Sequence, residues 1–204
     1  MISTSDITGL ILAGGRGSRM GGVDKGLQTF RGAPMAMHTL MRLSPQVDHV
    51  LINANRNLAA YESFGVPVVV DSVPDFAGPL AGILAGLEQC QTPYLLTAPC
   101  DSPFVPTDLA AKLAQALEDA DARIAMPVTL EPDAQGQPRR QVQPVFCLID
   151  ARLADDLTAY LQSGGRKIET WTARHATVDV LFDDSAAFAN INTLAELHTL
   201  AERR

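Results

Sequence analysis

The stretch from Leu12 to Lys25 reads Leu-Ala-Gly-Gly-Arg-Gly-Ser-Arg-Met-Gly-Gly-Val-Asp-Lys. Its five glycines, Gly14, Gly15, Gly17, Gly21 and Gly22, leave backbone amides open to an anion with no Cβ in the way, and Arg16, Arg19 and Lys25 add positive charge. Amides and cations together suit a polyphosphate. Two better-known phosphate loops do not fit. A Walker A loop needs Gly followed directly by Lys and then Ser or Thr, and no Gly-Lys dipeptide occurs in the chain. A dinucleotide fingerprint needs GxGxxG, whereas Gly15-Arg-Gly17 reaches its next glycine, Gly21, one residue late. The plain alternative, a surface connection with solvated charges, sits poorly with five glycines and three cations in the twelve residues from Gly14 to Lys25.

Polar groups recur where apolar runs end. Asn53 closes His49–Ile52, Asp71 follows Val66–Val70, and Asp101 follows Tyr94–Thr97 through Ala98-Pro-Cys. Mg²⁺ is usually held by one or two carboxylates plus substrate phosphate oxygens. An aspartate beside a phosphate loop therefore suits a metal, but Asp101 could equally cap the helix after Pro106 or fix a turn. Asn53 reads as a turn residue when taken alone. Gly78-Pro-Leu-Ala-Gly82 would open a helix whose free amides form an anion site, or make a tight strand-to-helix turn. Asn190 and Asn192 precede a terminal helix, where cap and turn roles are both open. Arg139-Arg140 reads as a pair of solvated loop charges. His38, His49, His175 and His198 are scattered without HExxH spacing and read as structural or surface residues. Cys90, Cys100 and Cys147 are odd in number with no CxxC pair, so they read as small buried hydrophobes in a reducing cytoplasm. No set for nucleophilic catalysis emerges.

The elements that must position these groups alternate. Strands are expected over Ile7–Leu12, His49–Ile52, Val66–Val70, Tyr94–Thr97, Arg123–Val128, Val142–Ile149 and Thr177–Phe182. Helices are expected from Pro34, over Leu58–Phe64, around Leu80, Ile83, Leu84 and Leu87, along Leu109, Leu113 and Leu117, along Leu153–Leu161 up to Gly164-Gly165, and over Thr193–Glu202. Glu131–Arg140 is polar and reads as a surface loop or hairpin. The pattern implies βαβ units and one α/β domain over residues 1–204: a Rossmann-like, mostly parallel sheet with helices on both faces. Open α/β sheets bind ligands beyond the carboxyl ends of their strands. That puts the glycine loop, Asn53, Asp71 and Asp101 on one rim. The 47% hydrophobic content excludes a disordered chain, and the net charge of −7 speaks against nucleic acid as a partner. No run of 18 apolar residues occurs, so no membrane span is expected, and Met1–Gly9 carries no Lys or Arg for a signal peptide.

Beyond the loop, several segments carry a family resemblance. Leu12-Ala-Gly-Gly15 through Gly22 with Asp24-Lys25-Gly26, Asp71 with Gly78-Pro-Leu-Ala-Gly82, and Pro99-Cys-Asp-Ser-Pro103 form the first half of it. Gln143-Pro-Val-Phe146, Gly165-Arg-Lys167 with Trp171, and Phe188-Ala-Asn-Ile-Asn-Thr193 form the second. Together they resemble the molybdenum cofactor guanylyltransferases, the MobA family, of the nucleotide-diphospho-sugar-transferase-like fold. The likeness spans about Ile7 to Leu197. The loop alone marks only the wider nucleotidyltransferase fold; the LAGG, GPLAG and NxNT forms in combination are more specific.

The resemblance implies transfer of GMP from GTP to the phosphate of molybdopterin or its molybdenum-loaded form, with Mg²⁺, or Mn²⁺ in its place. It implies Lys25, Arg19 and Asp101 as catalytic groups, with Asp101 as the metal ligand. It implies GTP contacts from Leu12, Ala13, Gly14, Gly15, Lys25, Asn53, Asp71 and Asp101. Pterin contacts would come from Gly78, Gly82, Asn190 and Asn192, and Arg139-Arg140 could meet the anionic pterin or another protein of cofactor biosynthesis. Residues 1–105 would then be the GTP half and residues 106–204 the molybdopterin half. This chain has Gln143 where the family often has His, which removes a titratable imidazole but keeps hydrogen bonding. Leu194 replaces a frequent Pro. Two rivals are a cytidylyltransferase of the same pathway, which resembles LAAG where this chain has LAGG, and a non-catalytic nucleotide or pterin carrier, against which Lys25 and Asp101 speak.

Overall fold

The computed structural model describes residues 1–13, 15, 23–73, 78–191 and 196. In chain order the elements are β1 (Ile7–Leu12), β2 (Thr29–Phe30), β3 (Ala33–Pro34), α1 (Met35–Leu43), β4 (His49–Asn53), α2 (Leu58–Glu62), β5 (Val68–Val69) and α3 (Pro79–Gln89). There follow β6 (Tyr94–Pro99), α4 (Leu109–Asp119), β7 (Ile124–Pro132), β8 (Pro138–Val142), β9 (Leu148–Asp150), α5 (Ala154–Gln162), α6 (Ile168–Thr172) and β10 (Thr177–Leu181). One sheet runs in the order β10-β7-β9-β6-β1-β4-β5, with β8 paired to β7. β1, β4, β5 and β6 pair in parallel, as do β7 and β10. β9 lies antiparallel to both β6 and β7. β7 therefore points the same way as β6, and its far end, with the β8 hairpin, projects past the same rim. This is the single-domain, mostly parallel α/β sheet that the alternating pattern implies.

The strands are apolar on both sides because both faces are covered. Ile7 and Ile11 of β1, Val50 and Ile52 of β4, and Leu96 and Ala98 of β6 face the core under α1 and α4. Their alternates Leu10, Leu51 and Leu95 face the core under α3, α5 and α6. α3 approaches closely because it carries small residues toward the sheet. A Cβ on Gly86 would stand 2.5 Å from Leu10 Cδ2.

Several boundaries differ from the sequence reading, each for a local reason. The strand expected over Val66–Val70 shrinks to Val68–Val69 at the sheet edge, where Pro67 has no N–H to donate and Val70 is exposed. Val142–Ile149 is not one strand. Pro144 breaks it, and Phe146 N donates to Gln143 O at 3.0 Å across a turn between β8 and β9. Strand β6 extends to Pro99, two residues beyond Thr97. Glu131–Arg140 is a hairpin: Asp133 Oδ1 accepts from the amides of Gln135 and Gln137, and Gly136 takes φ +76°. The five-residue helix α6 and the two-residue strands β2 and β3 were too short to show a period. The terminal helix expected over Thr193–Glu202 lies outside the described residues except for Glu196.

The second half is fastened by Asp156. Its Oδ1 accepts from Trp171 Nε1 at 2.9 Å and meets His175 Nε2 at 3.0 Å, while Arg174 lies 3.4 Å from Oδ2. Burial pushes this carboxyl upward, but the Trp171 hydrogen bond and the neighbouring Arg174 and His175 outweigh it and hold the pKa below the usual 3.8. A depressed folded pKa gives stability that is present above the unfolded value and lost as pH falls through the folded one. Asp156→Asn is thus expected to have a lower urea midpoint than the parent at neutral pH. The gap should narrow as pH falls below the usual carboxylate range and the parent carboxylate takes up its proton. A gap that stays constant down to pH 2 contradicts this account.

Candidate active site

Strand β1 is the first laid down, and β4 and β5 extend the sheet to one side of it. The chain then crosses back over α3 and adds β6 on the other side. The order reverses between β1 and β6, and such a switch point opens a crevice beyond the carboxyl ends. Four strand ends stand level there, since Leu12 pairs with both Pro99 and Asn53, and Asn53 pairs with Val69. Backbone bonds continue one step past the strands: Cys100 N donates to Leu12 O at 3.1 Å, Ala13 N to Asn53 O at 2.8 Å and Ala54 N to Val69 O at 3.0 Å. The sequence-predicted residues Leu12, Ala13, Asn53, Asp71 and Asp101 are thereby gathered on one rim, with Gly15 exposed above it. Gly14, Arg16, Arg19 and Asn192 lie outside the described residues.

Lys25 and Asp101 meet across the switch point. Lys25 Nζ donates to Asp101 Oδ2 at 3.1 Å, although 76 residues separate them in sequence. Both side chains are largely shielded, with 20% of Lys25 and 12% of Asp101 exposed. A pair in that setting feels a lower effective dielectric than one on the open surface. Among the described residues no group of three or more His, Cys, Asp or Glu side chains could cage a metal. A cation at Asp101 would draw its other ligands from phosphate oxygens and water, the pattern Mg²⁺ favours.

Asp71 occupies the opposite flank. The ends of β6 and β5 are three strand spacings apart, about 14 Å at the usual interval. Asp71 Oδ1 accepts from Asn53 Nδ2 and Oδ2 from Asn55 Nδ2, each at 2.8 Å, while the Asp71 amide donates to Asn55 Oδ1 at 2.9 Å. The carboxylate is locked in one orientation by two amides. Asn53 is in turn backed by α3: a Cβ on Gly82 would lie 2.3 Å from Asn53 Oδ1. Gly82 is buried and presses on Asn53 and Leu12. Gly78 precedes the first residue of α3 with φ +76° and ψ −162°, a conformation suited to glycine.

Asn190 comes from the far end of the chain to the Asp101 side. Ser102 Oγ donates to Asn190 Oδ1 at 2.5 Å, and Ile191 N donates to Asp101 O at 2.9 Å. Arg139 and Arg140 stand exposed on β8, and Arg140 pairs with Asp179 on β10. Gln143 is half-buried and donates to Thr129 Oγ1 at 3.1 Å. His38, His49 and His175 have structural partners, such as Phe30 O for His38 at 2.6 Å, and His198 lies outside the described residues.

Sequence reasoning passed over the segment after β4. Asn55, Arg56, Asn57 and Tyr61 all reach either Asp71 or the chain just before Lys25. The signal was available, because Asn53-Ala-Asn-Arg-Asn57 is a dense polar cluster at a strand's carboxyl end.

The model of the MobA-like NTP transferase domain matches residues 9–178. The chain belongs to the MobA-like NTP transferase family. Relatives in that family are near in sequence. The chain is 92% identical over 204 residues to the molybdenum cofactor guanylyltransferase of Ralstonia pickettii (strain 12J), covering 100% of both. It is 74% identical over 198 residues to the one from Cupriavidus metallidurans, covering 97% of this chain and 96% of that protein. Among solved structures it resembles molybdopterin-guanine dinucleotide biosynthesis protein A from Archaeoglobus fulgidus, with TM-score 0.71 and 24% identity over 96% of this chain and 97% of that one. It also resembles 4-diphosphocytidyl-2C-methyl-D-erythritolsynthase from Anaerococcus prevotii, with TM-score 0.73 and 15% identity over 97% of each chain. The two structural likenesses establish a shared fold.

The packing of Gly82 on Asn53 yields a test. Gly82→Ala should gain about 1 kcal/mol in helix propensity. It is nevertheless expected to cost about 1–3 kcal/mol through overpacking against Asn53 and Leu12, a net loss of up to about 2 kcal/mol read as a lower denaturant midpoint. An unchanged or higher midpoint would mean that Asn53 swings aside freely.

Proposed function

We propose that this chain is a molybdenum cofactor guanylyltransferase, transferring GMP from GTP to the phosphate of molybdopterin or Mo-molybdopterin. The observation that carries this reading is the 92% identity over the whole length to a curated protein of that name. In the transfer, an oxygen of the pterin phosphate attacks the α-phosphorus in line. The bond from the α-phosphorus to the bridging oxygen breaks, and pyrophosphate leaves with the electron pair. The nucleophile is already an anion, so no protein side chain needs to take a proton from it. Catalysis is then positioning and charge neutralisation.

Lys25, with Arg19, holds the triphosphate and offsets the charge that builds on the departing pyrophosphate. Asp101, beside Lys25, would hold a divalent cation, Mg²⁺ or Mn²⁺, together with phosphate oxygens. Such a cation, when bound, withdraws charge from the phosphoryl oxygens. Leu12, Ala13, Gly14 and Gly15 line the nucleotide seat. Asn53 and Asp71 take the guanosine end: a fixed carboxylate accepts from the paired N–H donors of guanine or from a ribose hydroxyl. The rim distance of about 14 Å between the Asp71 and Asp101 flanks suits a nucleoside at one end and its phosphates at the other.

Residues 1–105 form the GTP half in this reading and residues 106–204 the molybdopterin half. Gly78, with the amides that open α3, Asn190 and Asn192 are the proposed pterin contacts. Gly82 is included only through its grip on Asn53, since its own surface is buried. Arg139, exposed on β8, is a contact for the pterin or for another protein of cofactor biosynthesis. The three cysteines are free, as a reducing cytoplasm, the compartment proposed, would keep them, and burial pushes the fully buried Cys147 thiol up to about 12. Among the described residues no helix is long and apolar enough to cross a membrane.

Pyrophosphate release with GTP, molybdopterin and Mg²⁺ tests the reading directly, with CTP in a parallel assay. Release with GTP and not with CTP is expected. Release with CTP alone would make the chain a cytidylyltransferase, and none with either would make it a carrier. Asp101→Ala is expected to remain folded and to lose roughly 10²-fold or more in transfer rate, as for the loss of one principal charge-stabilising group. Unchanged transfer in that variant would overturn the role given to Asp101.

A further inference from the structure

Asp24 is buried, at 8% exposure, and among the described residues its carboxylate is held by the segment after β4. Tyr61 Oη donates to Oδ1 at 2.6 Å, Asn57 Nδ2 donates to Oδ2 at 2.9 Å, and Arg56 Nε lies 3.7 Å from Oδ2. Arg56 also donates to Val23 O at 3.2 Å. All three partners come from the segment that follows β4. The same stretch also meets the residue that follows β6. A Cβ on Gly26 would stand 2.5 Å from the Tyr61 hydroxyl oxygen and 3.2 Å from both Cβ and Sγ of Cys100. Gly26 therefore packs against both Tyr61 and Cys100. Lys25 lies between the held Asp24 and this packed glycine, and Asp101, its partner at 3.1 Å, directly follows Cys100.

We propose that Tyr61 is a positioning residue for Lys25: its hydroxyl, by holding Asp24, sets where the Lys25 ammonium stands relative to Asp101 and the phosphate seat. The inference rests on the reading above that Lys25 holds the nucleotide's phosphates. Tyr61 is fully buried, and burial raises its pKa well above the ordinary phenol value, so the hydroxyl stays protonated and remains a donor. The ring alone would fill the core. A phenylalanine would do that as well, so only the hydroxyl has the positioning role. Asn57 supplies the second donor from a left-handed backbone conformation, φ +53°, which glycine also adopts without strain.

The test compares affinities for GTP and GMP, whose ratio reports the grip on the outer phosphates, together with kcat for transfer. Tyr61→Phe keeps the ring, and Asn57→Gly keeps the backbone; each removes one hydrogen bond to Asp24. Each is expected to lower the GTP-over-GMP affinity ratio and kcat about tenfold, within the range known for small misplacements of a working group. GMP affinity should change little. In a Lys25→Ala background, neither change should lower the ratio further. A purely structural Tyr61 would shift the melting temperature and leave the ratio intact, which overturns the proposal. Full additivity with Lys25→Ala overturns it as well. If Lys25→Ala itself leaves the ratio unchanged, the phosphate role of Lys25 fails, and that failure is distinct from the first. Should Tyr61→Phe not fold, Asn57→Gly carries the same comparison alone.

Discussion

The parallel pairing of β1 with β6 is the constraint on which the site depends. It sets Leu12 level with Pro99, so a loop leaving one strand and a Cys-Asp pair leaving the other emerge side by side. Neither strand is a neighbour of the other in sequence; the chain lays down β4 and β5 first and must cross α3 to return. The small residues of α3 let that crossover lie close, with Gly86 against Leu10 and Gly82 against Asn53. A bulkier α3 would lift the helix and splay the rim. The 3.1 Å contact between Lys25 and Asp101 is thus a product of sheet order and helix packing more than of any local sequence.

The rim carries two buried or half-buried carboxylates besides Asp101, and each is matched by donors from the chain after β4. A carboxylate removed from water without partners is costly. Asp24 has Tyr61, Asn57 and Arg56; Asp71 has Asn53 and Asn55. Matching of this kind fixes orientation as well as energy, because amide donors constrain direction more than a bare charge does. The five residues Asn53-Ala-Asn-Arg-Asn57 hold both ends of the rim from a single turn. The turn couples the seat proposed for the nucleoside to the seat proposed for the phosphates through covalent backbone.

Periodicity made the long elements legible. Ile7–Leu12 emerged with the expected ends, and the four-residue spacing of Leu109, Leu113 and Leu117 matched the buried face of α4. It failed where a single residue overrode a pattern. Pro144 turned an apolar run into a turn plus a three-residue strand, and Pro67 cut an edge strand to two residues. For the site, position at strand ends set Asn53, Asp71 and Asp101 on one rim, but the family resemblance was needed to single them out, since Asn53 alone reads as a turn residue and Asp101 also suits a cap. Sequence did not show that Lys25 and Asp101 touch, since that needs the strand order, nor that Tyr61 and Asn57 serve Asp24, since both look like ordinary residues of a short helix and its turn. Gly82 was legible as part of a motif, but its packing against Asn53 needed coordinates.

An acidic chain of net charge −7 handling highly anionic substrates is consistent once distance is considered. At physiological salt the field of an exposed charge decays over about 8 Å, so the average charge of the molecule matters little at a shielded rim. What matters is the local set. Elsewhere several cations are spent on fixed acidic partners: Arg140 on Asp179, Arg152 on Asp150, Arg174 on Asp156 and Lys112 on Asp108. Arg140 with Asp179 and Arg174 with Asp156 join separate elements, while the other two pairs are local in sequence. Lys25 differs in kind. Its acidic partner, Asp101, stands at the switch point itself, where the strand order opens a crevice. In the role proposed for Lys25, an incoming phosphate competes for an ammonium that is already shielded and oriented, and so does not have to immobilise a free lysine on binding.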